Sequence, residues 1–152
     1  MERRPAVTMR GLAILLVLIT RIAPASGGER AVVLVVSAAS PVEHLDSIEV
    51  RKLFLNFPVF VGNRSLHPVD NFSDPELRDV FLQDVVAMTQ WAYDRRILSQ
   101  VNNQGRPLPL ELESFNTVVR TLEADPRAVS FAWLKDVTGN PRLRIVRVLW
   151  QE

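Results

Sequence analysis

The stretch AVVLVVS, residues 31–37, holds no charge, proline or glycine, and four of its seven residues are valine. A strand with one wet face alternates apolar and polar residues. Here both alternating sets are apolar, so the strand is expected to be buried on both faces, as in a sheet covered by helices. That demand points to a layered α/β arrangement, and 152 residues are enough for one such domain with little room for a second.

The flanking patterns agree with it. Asp46 with Glu49 three residues later forms a capping box, and Leu45 and Val50 sit at hydrophobic-staple positions, so 47–55 reads as a short helix. Irregular chain follows, with a turn at Gly62-Asn63 and a short strand near 65–70. Pro75 suits a first helical position, and Leu77, Val80, Phe81 and Val85 recur at helical spacing behind it. A second helical piece over about 88–100 carries Trp91 and Tyr93, and NNQGRPLP reads as a loop. Ser114 opens a helix with Phe115, Val118, Val119 and Leu122 on one stripe. Strands at 128–134 and 144–150, joined through the turn TGNP, close the chain. Strands alternating with helices indicate a three-layer α/β sandwich.

Residues 1–25 differ from the rest. Arg3, Arg4 and Arg10 precede the apolar run GLAILLVLIT, and small residues stand at Ala23 and Ala25, the pattern of a secretory signal cut after Ala25. The run is shorter than the roughly 20 apolar residues that span a bilayer. Arg21 shortens the block further and leaves an uncleaved anchor as the alternative. The expected mature domain is 26–152, periplasmic and not integral to the membrane. Cleavage removes four arginines and one glutamate, leaving fourteen basic against sixteen acidic residues. No basic face for nucleic acid survives that change. The absence of cysteine suits a small exported domain that relies on its packed core.

Chemistry-bearing motifs are missing: the chain has no nucleophile elbow, P-loop, dinucleotide fingerprint or zinc-protease helix. His44 and His67 lie far apart with no metal-ligand spacing between them, and Glu43, His44 and Asp46 are loop neighbours that read as a solvated turn rather than a ligand cluster. Trp91 and Arg95 stand at i, i+4, and the reading favoured is a core tryptophan beside a surface arginine. The sequence therefore names no catalytic residue, metal or cofactor, and the expectation is a non-enzyme.

Several stretches carry a family resemblance. HLDSIEVRKLFLNF resembles the short helix and Phe-Leu-Gly-Lys-type turn of the phosphate-binding proteins of ABC importers, and LHPVD resembles their next strand. DPELRDVFLQDVV stands where they place Ser-Gly-Thr and a helix ending in Phe; VVRTLEADPRAVSFAWL resembles their helix followed by Pro-Gly-Ala-Ile-Gly-Tyr-Val. The resemblance spans about residues 31–149. It implies a single-lobe periplasmic-binding-protein-like domain of type 2, with phosphate or another small anion as ligand. The implied donors lie in the loops at 37–40 and 70–74, namely Ser37, Ser40, Asn71 and Ser73, with Arg78 one turn into the following helix.

This chain departs from the pattern where the ligand would be held. Laid back from Phe81, the Ser-Gly-Thr positions are Pro75-Glu76-Leu77, and the preceding arginine falls at Asp70 or Asn71. Proline donates no amide and the hydroxyls are gone. Asp70, Asp74 and Glu76 crowd the place with negative charge. Two like charges about 4 Å apart cost roughly 1 kcal/mol in water and several times that in a drier cleft, against about 0.3–1 kcal/mol from a helix dipole. Asp74 and Glu76 are expected to satisfy the helix start themselves. Arg127 and Ser130 likewise replace two glycines, while Phe131 keeps an aromatic position and reads as core. Two functions stay open. One is a solute-binding-like domain with a degenerate anion site. The other is a periplasmic interaction or sensory accessory module serving a membrane transporter or sensor.

Overall fold

The computed structural model describes residues 30–152. The expected signal segment lies outside them. Strand β1 (Ala31–Ser37) sits inside a five-stranded mixed sheet of order β5-β4-β6-β1-β7. Its neighbours β6 (Ala128–Trp133) and β7 (Leu143–Gln151) both run antiparallel to it, in registers that place Val35 beside Ser130 and Leu34 beside Arg147. Strand β4 (His67–Asn71) runs parallel to β6 and to the three-residue edge strand β5 (Leu110–Leu112). A separate hairpin, β2 (Phe60–Val61) and β3 (Arg64–Ser65), turns at Gly62-Asn63.

Both faces of β1 are dry, as its composition requires: every residue from Ala31 to Ser37 is buried. On one face Val32, Leu34 and Val36 pack with α1 (Ser47–Phe54), α2 (Pro75–Val80) and α3 (Gln90–Gln104). The centre of this layer is aromatic. Phe81 and Phe131 stack with centroids 3.6 Å apart, and Phe54 meets both edge-on at 4.9 and 5.5 Å. On the other face Val33, Val35 and Val69 pack with Val118, Val119 and Leu122 of α4 (Phe115–Ala124) and Val137 of α5 (Leu134–Val137). The result is a three-layer sandwich.

Asp46 caps α1 through the expected box: its carboxylate accepts from Glu49 N and its own amide donates to Glu49, both at 2.8 Å. Asp74 caps α2, with Pro75 as first helical residue. Behind α2 the chain differs from the regular helix expected. Phe81–Val86 is π-helical and ends at Ala87 in the left-handed region, φ 57°. Buried Leu77, Leu82 and Phe81, Val86 are pairs five apart, and the wide turn brings both pairs inward while Gln83 and Asp84 stay wet. Val86 is therefore fully buried where Val85 was expected.

Two other expectations need correction. Helix α3 runs through Asn102 and Asn103, where the sequence predicts loop, because nothing stops it before Gly105 caps it at φ 62°. Trp91 is not core: it is 67% exposed, with the Arg95 guanidinium 4.5 Å from its ring centroid. The inward stripe of α3 is Tyr93, Ile97 and Gln100, which turns Trp91 out.

Candidate functional site

The passage from β4 into α2 is held by its own side chains. Asn71 is buried; its amide donates to Phe131 O at 2.9 Å, and its Oδ1 accepts from Ser73 N at 3.1 Å and Ser73 Oγ at 2.6 Å. This Asx-type turn delivers the chain to Asp74. Asp74 Oδ1 then accepts from Glu76 N at 2.8 Å and Leu77 N at 3.4 Å, while Oδ2 accepts from Trp133 Nε1 at 2.8 Å. The Trp133 hydrogen bond, helped by the two amides against partial burial, holds the Asp74 carboxyl below its ordinary range. The amides that a bound anion would need at this helix start already face a carboxylate.

The surroundings reinforce that arrangement. Arg30 pairs with Glu76 at 2.6 Å and lies 5.1 Å from the Trp133 ring centroid. Arg30, Asp74, Glu76, Trp133 and Lys135 line a cavity of about 160 Å³. Beside it, the Arg78 guanidinium covers the Phe72 ring at 3.7 Å, and its buried Nε has no hydrogen-bond partner among the described residues. Arg78 opens with Ser73 onto a wider cleft of about 470 Å³ whose other charged residues are Asp79, Glu111 and Glu113. Three carboxylates around one arginine leave a field that disfavours a small anion.

Under this surface lies Asp70, 1% exposed. Its Oδ2 is 2.9 Å from Tyr93 Oη, and Oδ1 has no partner among the described residues. Burial pushes its carboxyl up to about 7, with the Tyr93 hydrogen bond and Arg78 pulling down and Glu111 adding to the rise.

The five expected ligand donors are not brought to one place. Asn71, Ser73 and Arg78 gather at the β4–α2 end. Ser37 and Ser40 lie at the other end of the sheet, because β1 and β4 run in opposite directions beside β6. Ser37 lies about four residues further along the strands than Asn71, or roughly 13 Å. Ser40 Oγ donates to Pro126 O at 2.7 Å, and Ser37 Oγ is buried without a partner among the described residues. That end also holds His67 Nδ1 against Asp125 Oδ2 at 2.6 Å. Ser130 is buried and donates to Val69 O at 2.8 Å. Reading the sequence alone missed Trp133 and Arg30. The usable signal was a tryptophan ending a buried strand, whose N–H needs an acceptor. No group of three or more His, Cys, Asp or Glu side chains converges on a metal-sized space among the described residues. No helix among them is long and apolar enough to cross a membrane.

Neither a family model nor a curated protein matches the chain. Solved structures do match in fold. An ABC-type phosphate transport receptor from Vibrio cholerae aligns with TM-score 0.59 and 14% identity over 78% of this chain and 46% of its own. A possible phosphate binding protein from Planctomyces limnophilus aligns with TM-score 0.55 and 14% identity over 78% of this chain and 41% of its own. PstS from Borrelia burgdorferi aligns with TM-score 0.54 and 12% identity over 78% and 47%. The domain thus has the fold of a single periplasmic-binding-protein lobe, and the chain spans less than half the length of the receptors it resembles.

Proposed function

We propose that this chain is an exported, periplasmic, solute-binding-like lobe whose anion place is filled by its own Asp74. In this reading it works without catalysis, through contact with a membrane transporter or sensor, and carries no phosphate. The observation behind it is the double use of Asp74, which takes the Glu76 and Leu77 amides with one oxygen and the Trp133 indole with the other. A phosphate brought to this helix start would have to displace a carboxylate tied by three hydrogen bonds, next to Glu76 and without hydroxyl donors at positions 75–77. Isothermal calorimetry of the mature chain with inorganic phosphate tests the reading: silence through the millimolar range is expected, and micromolar binding contradicts it.

A second reading has one observation in its favour. Arg78 lines the wider cleft beside Ser73 and forms no ion pair among the described residues, so its guanidinium could contribute to a weak anion contact there. Ser37 and Ser40 would then belong to a different contact at the far end of the sheet. Weak phosphate binding abolished by Arg78→Gln would support this reading over the first.

A further inference from the structure

We propose that the outward face of α3, built from Trp91, Arg95, Arg96 and Leu98, docks an acidic segment of a partner protein that also presents an apolar side chain. The inference rests on the protein-contact reading above and names the surface and the partner's chemistry. Helix α3 is held to the core by buried Tyr93, Ile97 and Gln100, with partly buried Val101 packed beside them. Yet it carries Trp91 at 67% and Leu98 at 53% exposure, seven residues apart and therefore on one outward stripe. An exposed indole contributes little to folding, since most of its apolar area stays in water.

Two arginines stand on this face against one carboxylate, Asp94. Arg95 lies between Trp91 and Leu98 on the stripe and covers the indole at 4.5 Å, which organises both side chains before any partner arrives. Among the described residues neither Arg95 nor Arg96 forms an ion pair. The one acid of α3, Asp94, accepts from Gln90 Nε2 at 2.6 Å. A depression of about 360 Å³ lined by Met88, Trp91, Ala92, Arg95, Arg96 and Ser99 offers room for an apolar side chain between the two guanidinium groups. Met88 also borders a second hollow of about 540 Å³ beside the π-helical stretch, so the surface continues past the helix start.

Guanidinium forks match carboxylates, and tryptophan and arginine are among the residues enriched at interface hot spots. Against an anionic membrane stands the rest of the same surface. Asp94, Asn102 and Asn103 are exposed on it, while the main apolar stripe of the helix faces inward.

A photo-crosslinking residue placed at position 98 in the full chain, in the cells that make it, tests the proposal. A control at position 120 occupies an exposed site on α4, across the sheet. The expected adduct joins position 98 to a polypeptide segment bearing Asp or Glu within a few residues of the attachment point. Its yield should fall about ten-fold or more in Trp91→Ala and in the double variant Arg95→Glu, Arg96→Glu. Circular dichroism of these exposed-site variants should match that of the parent chain. An adduct indifferent to charge reversal, one mapped to a basic segment, one to lipid or one to a second copy of this chain overturns the proposal. A protein adduct at 120 but none at 98 also overturns it and leaves the protein-contact reading intact. Absence of protein adducts at every surface position tried overturns both.

Discussion

Tyr93 has one hydroxyl hydrogen and two acceptors within reach, Phe54 O at 3.0 Å and Asp70 Oδ2 at 2.9 Å. Both contacts are satisfied only when Asp70 is protonated and donates to the tyrosine, which then donates to the carbonyl. Burial supports that state by raising the Asp70 carboxyl to about 7. Unfolded, an aspartate ionises near about pH 4. Folding therefore favours the protonated form, so the contribution is complete below about pH 4 and is lost as pH rises to about 7. The loss should amount to roughly 4 kcal/mol, measurable as falling unfolding free energy between mildly acid and mildly alkaline buffer. Asp70→Asn, which donates at every pH, should flatten that slope. Asp74 acts in the opposite sense. Its lowered carboxyl contributes above the ordinary carboxylate range, and the contribution is lost as pH falls through its folded value. Asp74→Ala removes a helix cap and leaves Trp133 Nε1 unpaired, and chemical denaturation should register a cost of about 1–3 kcal/mol.

At the scale of elements, the π-helical stretch is the feature most at odds with local propensity. It ends in a left-handed alanine, a conformation that costs an L-residue roughly 1–2 kcal/mol. Ala87→Gly should therefore raise the denaturation midpoint, with a net gain of about 0.5–1 kcal/mol after glycine's own entropy loss. A lowered midpoint would mean that Ala87 makes a contact worth more than the strain. Elements with a local chemical signature were legible beforehand: the doubly apolar β1, the capping box of α1, and the Asp74-Pro75 start of α2. The wide turn was not legible, since a five-residue spacing of Phe81 and Val86 is hidden while Val85 also fits a regular helix. Strand β5 was not legible either, because its three residues follow a proline and gain their partners only from β4. Likewise Trp91 beside Tyr93 offers two large aromatics two positions apart, and only one of them can face inward. Side-chain size does not say which.

For the whole molecule, fold class followed from burial demands that any one strand can express, but the site did not. Strand directions decide which loops meet, and those directions depend on pairings between residues as far apart as Ala31 and Gln151. Asn71 and Ser73 stand at the end of β4 and came together; Ser37 and Ser40 stand at the end of β1 and went to the far end. The aromatic stack ties one helical layer to the sheet, with Phe131 from the sheet, Phe81 from the wide turn and Phe54 from α1. Phe131→Ala should cost about 3–5 kcal/mol, with loss of near-ultraviolet dichroism tracking the unfolding transition. At the same scale, the proposed function takes the occupied helix start as what separates this lobe from a receptor that carries phosphate. The amide resonances of Glu76 and Leu77 report that place directly during a titration with inorganic phosphate. With Asp74 holding both amides, neither resonance should move through the millimolar range; a saturable shift of both at micromolar phosphate would contradict the account.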